Sequence, residues 1–139
     1  MISALDISTS ALVAQRARLD AIAGNIANAS TTRNEAGKLE PYRARFVTFA
    51  TMETASPYDA AGVEISSVQI SQEPPKYKYQ PGHPDAITSG PNKGYVAYPN
   101  IDTMAEMVNA MTARRAYEAN IGVIEISKNL GQQTLRILG

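Results

Sequence analysis

Apolar side chains recur every seven residues near the start of the chain. They are Leu5, Leu12, Leu19 and Ile26, with Ile22 broadening the stripe. A seven-residue apolar repeat keeps one face of an α-helix turned toward a partner helix. The pattern therefore predicts a long packing helix that begins at residue 4, where Ser3 and Asp6 resemble a capping box, and ends near Asn28.

A second long helix is predicted over residues 101–139, a stretch without proline. Asn100 or Asp102 can cap its start, and Asp102 with Glu106 places negative charge where the helix macrodipole favours it. Between 121 and 138 the apolar positions wrap most of the circumference, so one partner helix can cover only part of them. The residues we assign to packing and subunit assembly here are Met104, Met107, Met111, Tyr117, Ile121, Ile124, Leu130, Leu135 and Leu138.

Residues 31–100 contain all eight prolines of the chain, and the two predicted helical ends contain none. Short strands and turns are expected there because proline excludes long helices. Apolar residues alternate at 63 and 65 and then, in the opposite register, at 68 and 70, which predicts a bulge at Ser66 or Ser67. Tyrosines at 77, 79, 95 and 98 indicate two further strands around a turn-rich segment.

The predicted fold class is α+β. The N-terminal helix, residues 1–30, and the C-terminal helix, residues 101–139, form one core domain as a coiled-coil-like pair, and a small β-rich, turn-rich middle region fills residues 31–100. An intramolecular hairpin of the two helices packed on the middle region is the alternative to packing between subunits.

Charge is balanced over the whole chain, with 13 basic and 13 acidic residues. The balance holds within each of the three regions, so none carries the basic field that nucleic acid or an anionic membrane attracts. There is no cysteine, which excludes a disulfide framework. No apolar run approaches the ~20 residues of a membrane helix, and a cleaved secretory signal is not expected because no basic region precedes an apolar run.

Catalytic chemistry finds little support in the sequence. His83 is the only histidine and sits between two prolines, so we interpret it as a turn residue rather than a base or metal ligand. Glu64, Glu73 and Asp85 could supply paired carboxylates, but no spacing selects them. The glycine-bounded segment 90–94 lacks the ending of a phosphate loop. We therefore expect no catalytic residue, cofactor or metal site.

Two other polar features favour structural roles. Arg114 and Arg115 could bind phosphate, but Glu118 follows Arg114 by one helical turn and indicates a surface ion pair. Asn25 and Asn28 lie near the end of the first helix. Each amide could bond the last free carbonyls or lock register against a partner helix, and the two roles are compatible at different asparagines.

Five segments carry a resemblance to a known family. They are residues 25–32 (Asn-Ile-Ala-Asn-Ala-Ser-Thr-Thr), 41–43 (Pro-Tyr-Arg), 81–85 (Pro-Gly-His-Pro-Asp), 94–100 (Gly-Tyr-Val-Ala-Tyr-Pro-Asn) and 115–120 (Arg-Ala-Tyr-Glu-Ala-Asn). The first, after its long helix, resembles the axial proteins of the bacterial flagellum, and the others narrow the resemblance to rod proteins of the basal body. Gln80, Ile87 and the loop 88–93 depart from the family pattern.

The resemblance implies a structural subunit of the proximal rod, part of the drive shaft that transmits torque and surrounds the export channel. Implied partners are neighbouring proximal and distal rod proteins, copies of this chain and the flagellar type III export apparatus, with neither nucleic acid nor membrane insertion. The implied location is the periplasm-spanning rod, reached without a cleaved signal. A soluble helical adaptor or export chaperone is the main alternative, and a cell-wall hydrolase built on the middle region is a weaker one.

Overall fold

The computed structural model describes residues 4–53 and 61–138 and confirms the α+β class. Along the sequence, four short strands lie between two long helices. They are α1 (Ala4–Ala27), β1 (Arg45–Thr51), β2 (Val63–Ile70), β3 (Lys76–Tyr79), β4 (Tyr95–Tyr98) and α2 (Thr103–Leu138). The predicted cap Ser3 lies outside the described residues, as does the side chain of Leu138.

Polar side chains cap the C-terminal end of α1 and the N-terminal end of α2, which we call the inner ends of the helices. Asp102 caps α2, because its Oδ1 accepts hydrogen bonds from the backbone N–H of Met104 at 3.0 Å and of Ala105 at 3.3 Å. At the end of α1, the Asn28 amide donates at 2.9 Å to the carbonyl of Gly24, which also accepts from the backbone N–H of Asn28 at 3.1 Å. Of the two caps that the sequence offered for α2, the structure uses Asp102.

The helices pack against each other in antiparallel directions, since the end of α1 contacts the beginning of α2. Most buried and half-buried positions of α2 follow alternating steps of four and three residues: Glu106, Ala110, Ala113, Tyr117, Asn120, Ile124 and Ser127. Ala116 and Gly122 are half-buried beside this row. With 24 residues against 36, α1 is about 18 Å shorter than α2 at 1.5 Å per residue. Every described side chain from Lys128 to Ile137 is exposed.

The face that α1 turns inward consists mostly of small and polar side chains. Its fully buried members are Ser8, Ala14, Ile22 and Asn25. At about 100° per residue, their centre lies roughly a quarter turn from the stripe of Leu5, Leu12, Leu19 and Ile26. The leucine stripe therefore runs along the flank of the helix pair, where side chains are half-buried or exposed.

Strands β1 and β2 form an antiparallel hairpin that packs on α1. The register shifts beside Thr48, which pairs with Ser67, whereas Phe49 pairs with Ile65. Ser66 is consequently the extra residue, and the predicted bulge is confirmed. The Ser10 hydroxyl on α1 accepts a hydrogen bond from the backbone N–H of Val63 at 3.0 Å, which holds the start of β2 against the helix.

Strands β3 and β4 form a second antiparallel hairpin, which we call the ribbon and define as residues 76–98. Its two strands are those that the tyrosine pattern predicts. The Tyr79 and Tyr95 rings meet edge to face with centroids 5.2 Å apart. Gly94 turns the chain with a φ of 84°, in the left-handed region that favours glycine.

Little apolar surface is fully buried within one chain. The buried apolar residues among those described are Ala14, Ile22, Ala44, Val96 and Ala113. The accessible surface is 9872 Å², whereas a compact monomer of 14.9 kDa exposes about 7,000 Å². The fold is therefore extended, and much of its apolar surface faces solvent.

Candidate assembly interface

Asn25 joins three elements at the inner end of the helix pair. Its Oδ1 accepts hydrogen bonds from the backbone N–H of Arg45 at 2.8 Å and from the Tyr42 hydroxyl at 3.3 Å. Its Nδ2 donates to the Arg45 carbonyl at 2.9 Å and to Glu106 Oε2 at 3.1 Å. We call this arrangement the Asn25 junction. It ties α1 to the first residue of β1 and to the first turn of α2.

Burial makes this junction selective for an amide. Asn25 is 1% exposed and Glu106 is 8% exposed, so water has little access to unpaired groups there. An asparagine side chain has two donors and two acceptor lone pairs, and all four are used. Because a buried polar group left without a partner costs about 1–3 kcal/mol, the junction fixes the register between the helices.

Asn28 has a local role, unlike Asn25. Its amide bonds the Gly24 carbonyl, and its Oδ1 accepts a hydrogen bond from the Thr31 hydroxyl at 3.1 Å. The Thr31 carbonyl then accepts from the backbone N–H of Tyr42 at 3.0 Å. Asn28 therefore caps α1 and directs the departing chain toward β1, while Asn25 makes the contact with the partner helix.

Asp85 fastens the ribbon to the segment that leaves α1. One carboxylate oxygen accepts a hydrogen bond from the Thr32 hydroxyl at 2.6 Å, and the other accepts from Arg33 Nε at 2.6 Å and forms an ion pair with that guanidinium. The hydrogen bonds from Thr32 and Arg33 lower the pKa of Asp85 below its ordinary value. We call these three residues the Asp85 clamp.

His83 lies in the turn that presents this carboxylate. Its Nδ1 accepts a hydrogen bond from the backbone N–H of Asp85 at 3.0 Å, and the backbone N–H of His83 donates to the Gln80 carbonyl at 3.0 Å. The ring lies 6.5 Å from that of Tyr98. These contacts account for His83 as a turn residue, as the two flanking prolines predict.

The other candidates for chemistry lie on different segments of the chain. Glu64 is exposed on β2, and Glu73 accepts a hydrogen bond from the Asn100 amide at 3.0 Å. Arg114 pairs with Glu118 at 2.8 Å on the exposed side of α2, as its spacing predicts. Among the described residues, no group of three or more His, Asp or Glu side chains is placed to hold a metal ion, and no helix has the length and hydropathy to cross a bilayer.

The residues that the sequence assigns to packing fall into two groups. Those that the helix pair buries or half-buries are Asn25, Asn28, Leu12, Leu19, Ile22, Ile26, Tyr117 and Ile124. Those that remain exposed are Leu5, Met104, Met107, Met111, Ile121, Leu130 and Leu135. Leu138 ends α2, and its side chain lies outside the described residues. The exposed group extends along nearly the whole length of α2.

Sequence patterns did not identify some members of the interface. Ser8 and Ala14 on α1 and Ala113 on α2 are buried, whereas the apolar pattern selects larger side chains. Thr32 and Arg33 contact Asp85 from more than fifty positions away in sequence. The short Asn-x-Ala-Asn segment, residues 25–28, contains the junction residue Asn25. The segment does not indicate that Asn25 contacts Arg45 and Glu106.

Two family models match this chain. Residues 5–33 match the model described as "Flagella basal body rod protein", and residues 92–137 match "Flagellar basal body rod FlgEFG protein C-terminal". The first covers α1 and the segment that enters the Asp85 clamp. The second covers β4 and nearly all of α2.

Curated relatives that align over almost the full chain are named flagellar basal-body rod protein FlgC. The one from Borreliella burgdorferi is 40% identical over 151 residues, covering 99% of this chain and 97% of its own. The one from Salmonella typhimurium is 41% identical over 137 residues with the same coverage. The one from Bacillus subtilis is 32% identical over 146 residues, covering 96% of this chain and 95% of its own.

Proposed function

Since the chain belongs to the family of FlgC flagellar basal-body rod proteins, we propose that it builds the proximal rod by packing both helices against neighbouring subunits. It is a structural subunit of the flagellar basal-body rod. The proposal adds the position within the rod, the contacts that make the rod stiff, and the route of export. In this proposal the subunits surround the export channel and transmit torque across the periplasm.

The apolar surface that a single chain leaves exposed carries the proposal. Met104, Met107, Val108 and Met111 form one exposed apolar stripe on the first half of α2, and Leu130 and Leu135 extend the apolar surface beyond α1. Monomeric soluble proteins rarely expose contiguous apolar patches of more than a few hundred Å². Neighbouring subunits would cover these side chains and gain about 25 cal/mol for each Å² of apolar surface buried.

The flank of the helix pair supplies the complementary surface. Leu12, Leu19 and Ile26 are half-buried within one chain, and Leu5 is exposed, so a neighbouring helix can cover what remains. Tight packing among many helices would transmit torque without any catalytic residue. Proposed partners are other proximal and distal rod proteins, copies of this chain, and the type III export apparatus that delivers it without a cleaved signal.

Replacing one leucine of the flank by a charged residue tests the proposal. Leu12→Asp buries an unpaired carboxylate at the subunit contact, so we expect no rod and no motility although the protein is still made. Thr9→Asp is the control, because Thr9 is exposed on the side of α1 that carries Arg16 and Asp20. Normal motility of the Leu12→Asp strain would contradict the proposal.

A soluble helical adaptor remains the second candidate, because α1 and α2 already pair within one chain. Far-UV circular dichroism of the dilute, purified subunit separates the two. We expect less helix than the 24 and 36 residues of α1 and α2, with the remainder gained on assembly, since the exposed parts need partners. A monomer with nearly full helix and one cooperative melting transition would favour the adaptor.

A further inference from the structure

The ribbon is attached to the rest of the fold through few directional contacts. In the described part of the chain, β3 and β4 pair with each other and contact neither helix nor the β1–β2 hairpin. Proline-containing segments enter and leave the ribbon, with Pro75 just before β3 and Pro99 just after β4. The Asn100 amide bonds Glu73 across these two segments without reaching the helices. Regular secondary structure therefore does not fix the ribbon's orientation.

Hydrogen bonding concentrates the attachment at a single side chain. Within residues 4–53 and 61–138, the hydrogen bonds that join residues 76–98 to the rest of the chain all end on the Asp85 carboxylate. That side chain is 11% exposed, against 48% for the Arg33 side chain that pairs with it. Charge-assisted hydrogen bonds are short and directional, so this contact can define an angle as well as a distance.

The apolar contacts around the clamp leave space. A groove of about 160 Å³ separates the ribbon from the loop after α1, and it is lined by Thr32, Leu39, Pro41, Pro75, Tyr77, Asp85, Ile87 and Ala97. Val96 is fully buried and, as the neighbour of Ala97 along β4, lies on the face of the strand that points away from this groove. Apolar contact is non-directional, so the apolar side chains that line this groove can hold the ribbon close without setting its tilt.

We infer that Asp85 is a positioning residue, whose bonds to Thr32 and Arg33 set the orientation of the ribbon relative to α1 and the β1–β2 hairpin. The ribbon carries Tyr77 and Tyr79, which are 49% and 63% exposed. Both project from the same face, because residues two apart share a face of a strand. The clamp therefore fixes where this tyrosine face stands on the subunit. The inference does not depend on which neighbours cover the helices.

Pulsed electron–electron double resonance tests the inference through one distance between the ribbon and the β1–β2 hairpin. The chain has no cysteine, so Gln69→Cys on β2 and Lys93→Cys in the ribbon loop provide two unique labelling sites, and both side chains are exposed. We expect one narrow distance peak in the otherwise unchanged chain. Asp85→Ala removes both arms of the clamp and should lose that peak in favour of a broad distribution.

Matched variants distinguish positioning from loss of folding. Thr32→Val and Arg33→Met each remove one arm, and each should broaden the distribution less than Asp85→Ala does. Glu64→Gln neutralises an exposed carboxylate on β2 and should leave the peak unchanged. Far-UV circular dichroism of the same samples should show the same secondary structure in every variant.

Three outcomes would overturn the inference. One is a broad distance distribution in the unsubstituted chain, which would mean that the clamp holds no fixed orientation. Another is a narrow and unshifted peak in Asp85→Ala. The third is broadening in the single-arm variants only when secondary structure is lost with it. A narrow peak that broadens in the order expected, with secondary structure retained, would support it.

Discussion

Replacing Asn25 by aspartate changes the junction by one atom and should strongly destabilise it. The Nδ2 donor becomes a carboxylate oxygen. That oxygen faces two acceptors, the Arg45 carbonyl and Glu106 Oε2, which lie 2.9 and 3.1 Å from Nδ2 in the parent. Two unit charges at 3.1 Å repel by about 5 kcal/mol at an effective dielectric constant of about 20. Because one carboxyl can take up a proton instead, we expect a loss of about 3–5 kcal/mol in the free energy of unfolding at neutral pH.

Urea denaturation followed by far-UV circular dichroism is the assay. The junction joins the inner ends of α1 and α2, so fraying at the outer ends of the helices does not remove its contribution. Glu106→Gln alone should cost less than about 1 kcal/mol, because its amide oxygen can still accept from Asn25. Combined with Asn25→Asp, it should recover part of the loss, since the glutamine amide can donate to the new carboxylate.

The dependence on pH provides a further check of the junction. The loss in Asn25→Asp should shrink as pH falls from neutral toward about 4, because a proton on either carboxyl restores a donor between the two side chains. A free energy of unfolding within about 1 kcal/mol of the parent at neutral pH would refute a buried Asn25–Glu106 contact. Asn28→Ala, which removes a half-buried cap, is the matched control and should cost about 1 kcal/mol.

Three further predictions concern other parts of the fold. The clamp's contribution to stability should be fully present above about pH 4 and should decline as pH falls through the lowered pKa of Asp85. Acid should therefore broaden the ribbon distance distribution in the parent. In Asp85→Ala the same change of pH should leave the distribution as it is. Gly94→Ala should lower the free energy of unfolding by about 1–2 kcal/mol, because φ is 84° and the added Cβ would lie 2.9 Å from Tyr79 Cε2; Gly82→Ala, with open space, should have little effect, and equal losses would contradict this account. Ala113→Leu should cost about 1–3 kcal/mol by overpacking a fully buried position between the helices, as measured by urea denaturation, and an unchanged midpoint would show that the helices are not in close contact there.

Local sequence signals predicted the elements of the fold. Apolar periodicity and the Asp102 cap located α1 and α2 to within a residue or two, because both features act within a few turns of one helix. Alternation that changes phase at Ser66 predicted the bulge in β2 for the same reason. The division of the chain into a helical core domain and a middle region remains a prediction.

The sequence could not specify contacts between distant segments. The Asn25 amide has the same chemistry whether it caps a helix or bridges to α2, and only the fold brings Glu106 and Arg45 within reach. The buried face of α1 was hard to identify because close approach of two backbones selects small residues such as Ala14, whereas apolar patterns give weight to leucine. The role of the flanking leucines in subunit assembly therefore remains a prediction.

In the proposed assembly, the length difference between the helices makes subunit concentration a determinant of stability. From Lys128 to Ile137 every described side chain of α2 is exposed, and an isolated helical segment of that length is marginal in water. A partner that binds only the ordered helix stabilises it by mass action, in proportion to the logarithm of the partner concentration. The melting temperature of this part of the chain should consequently rise with protein concentration, and a value measured at one dilution describes that dilution alone.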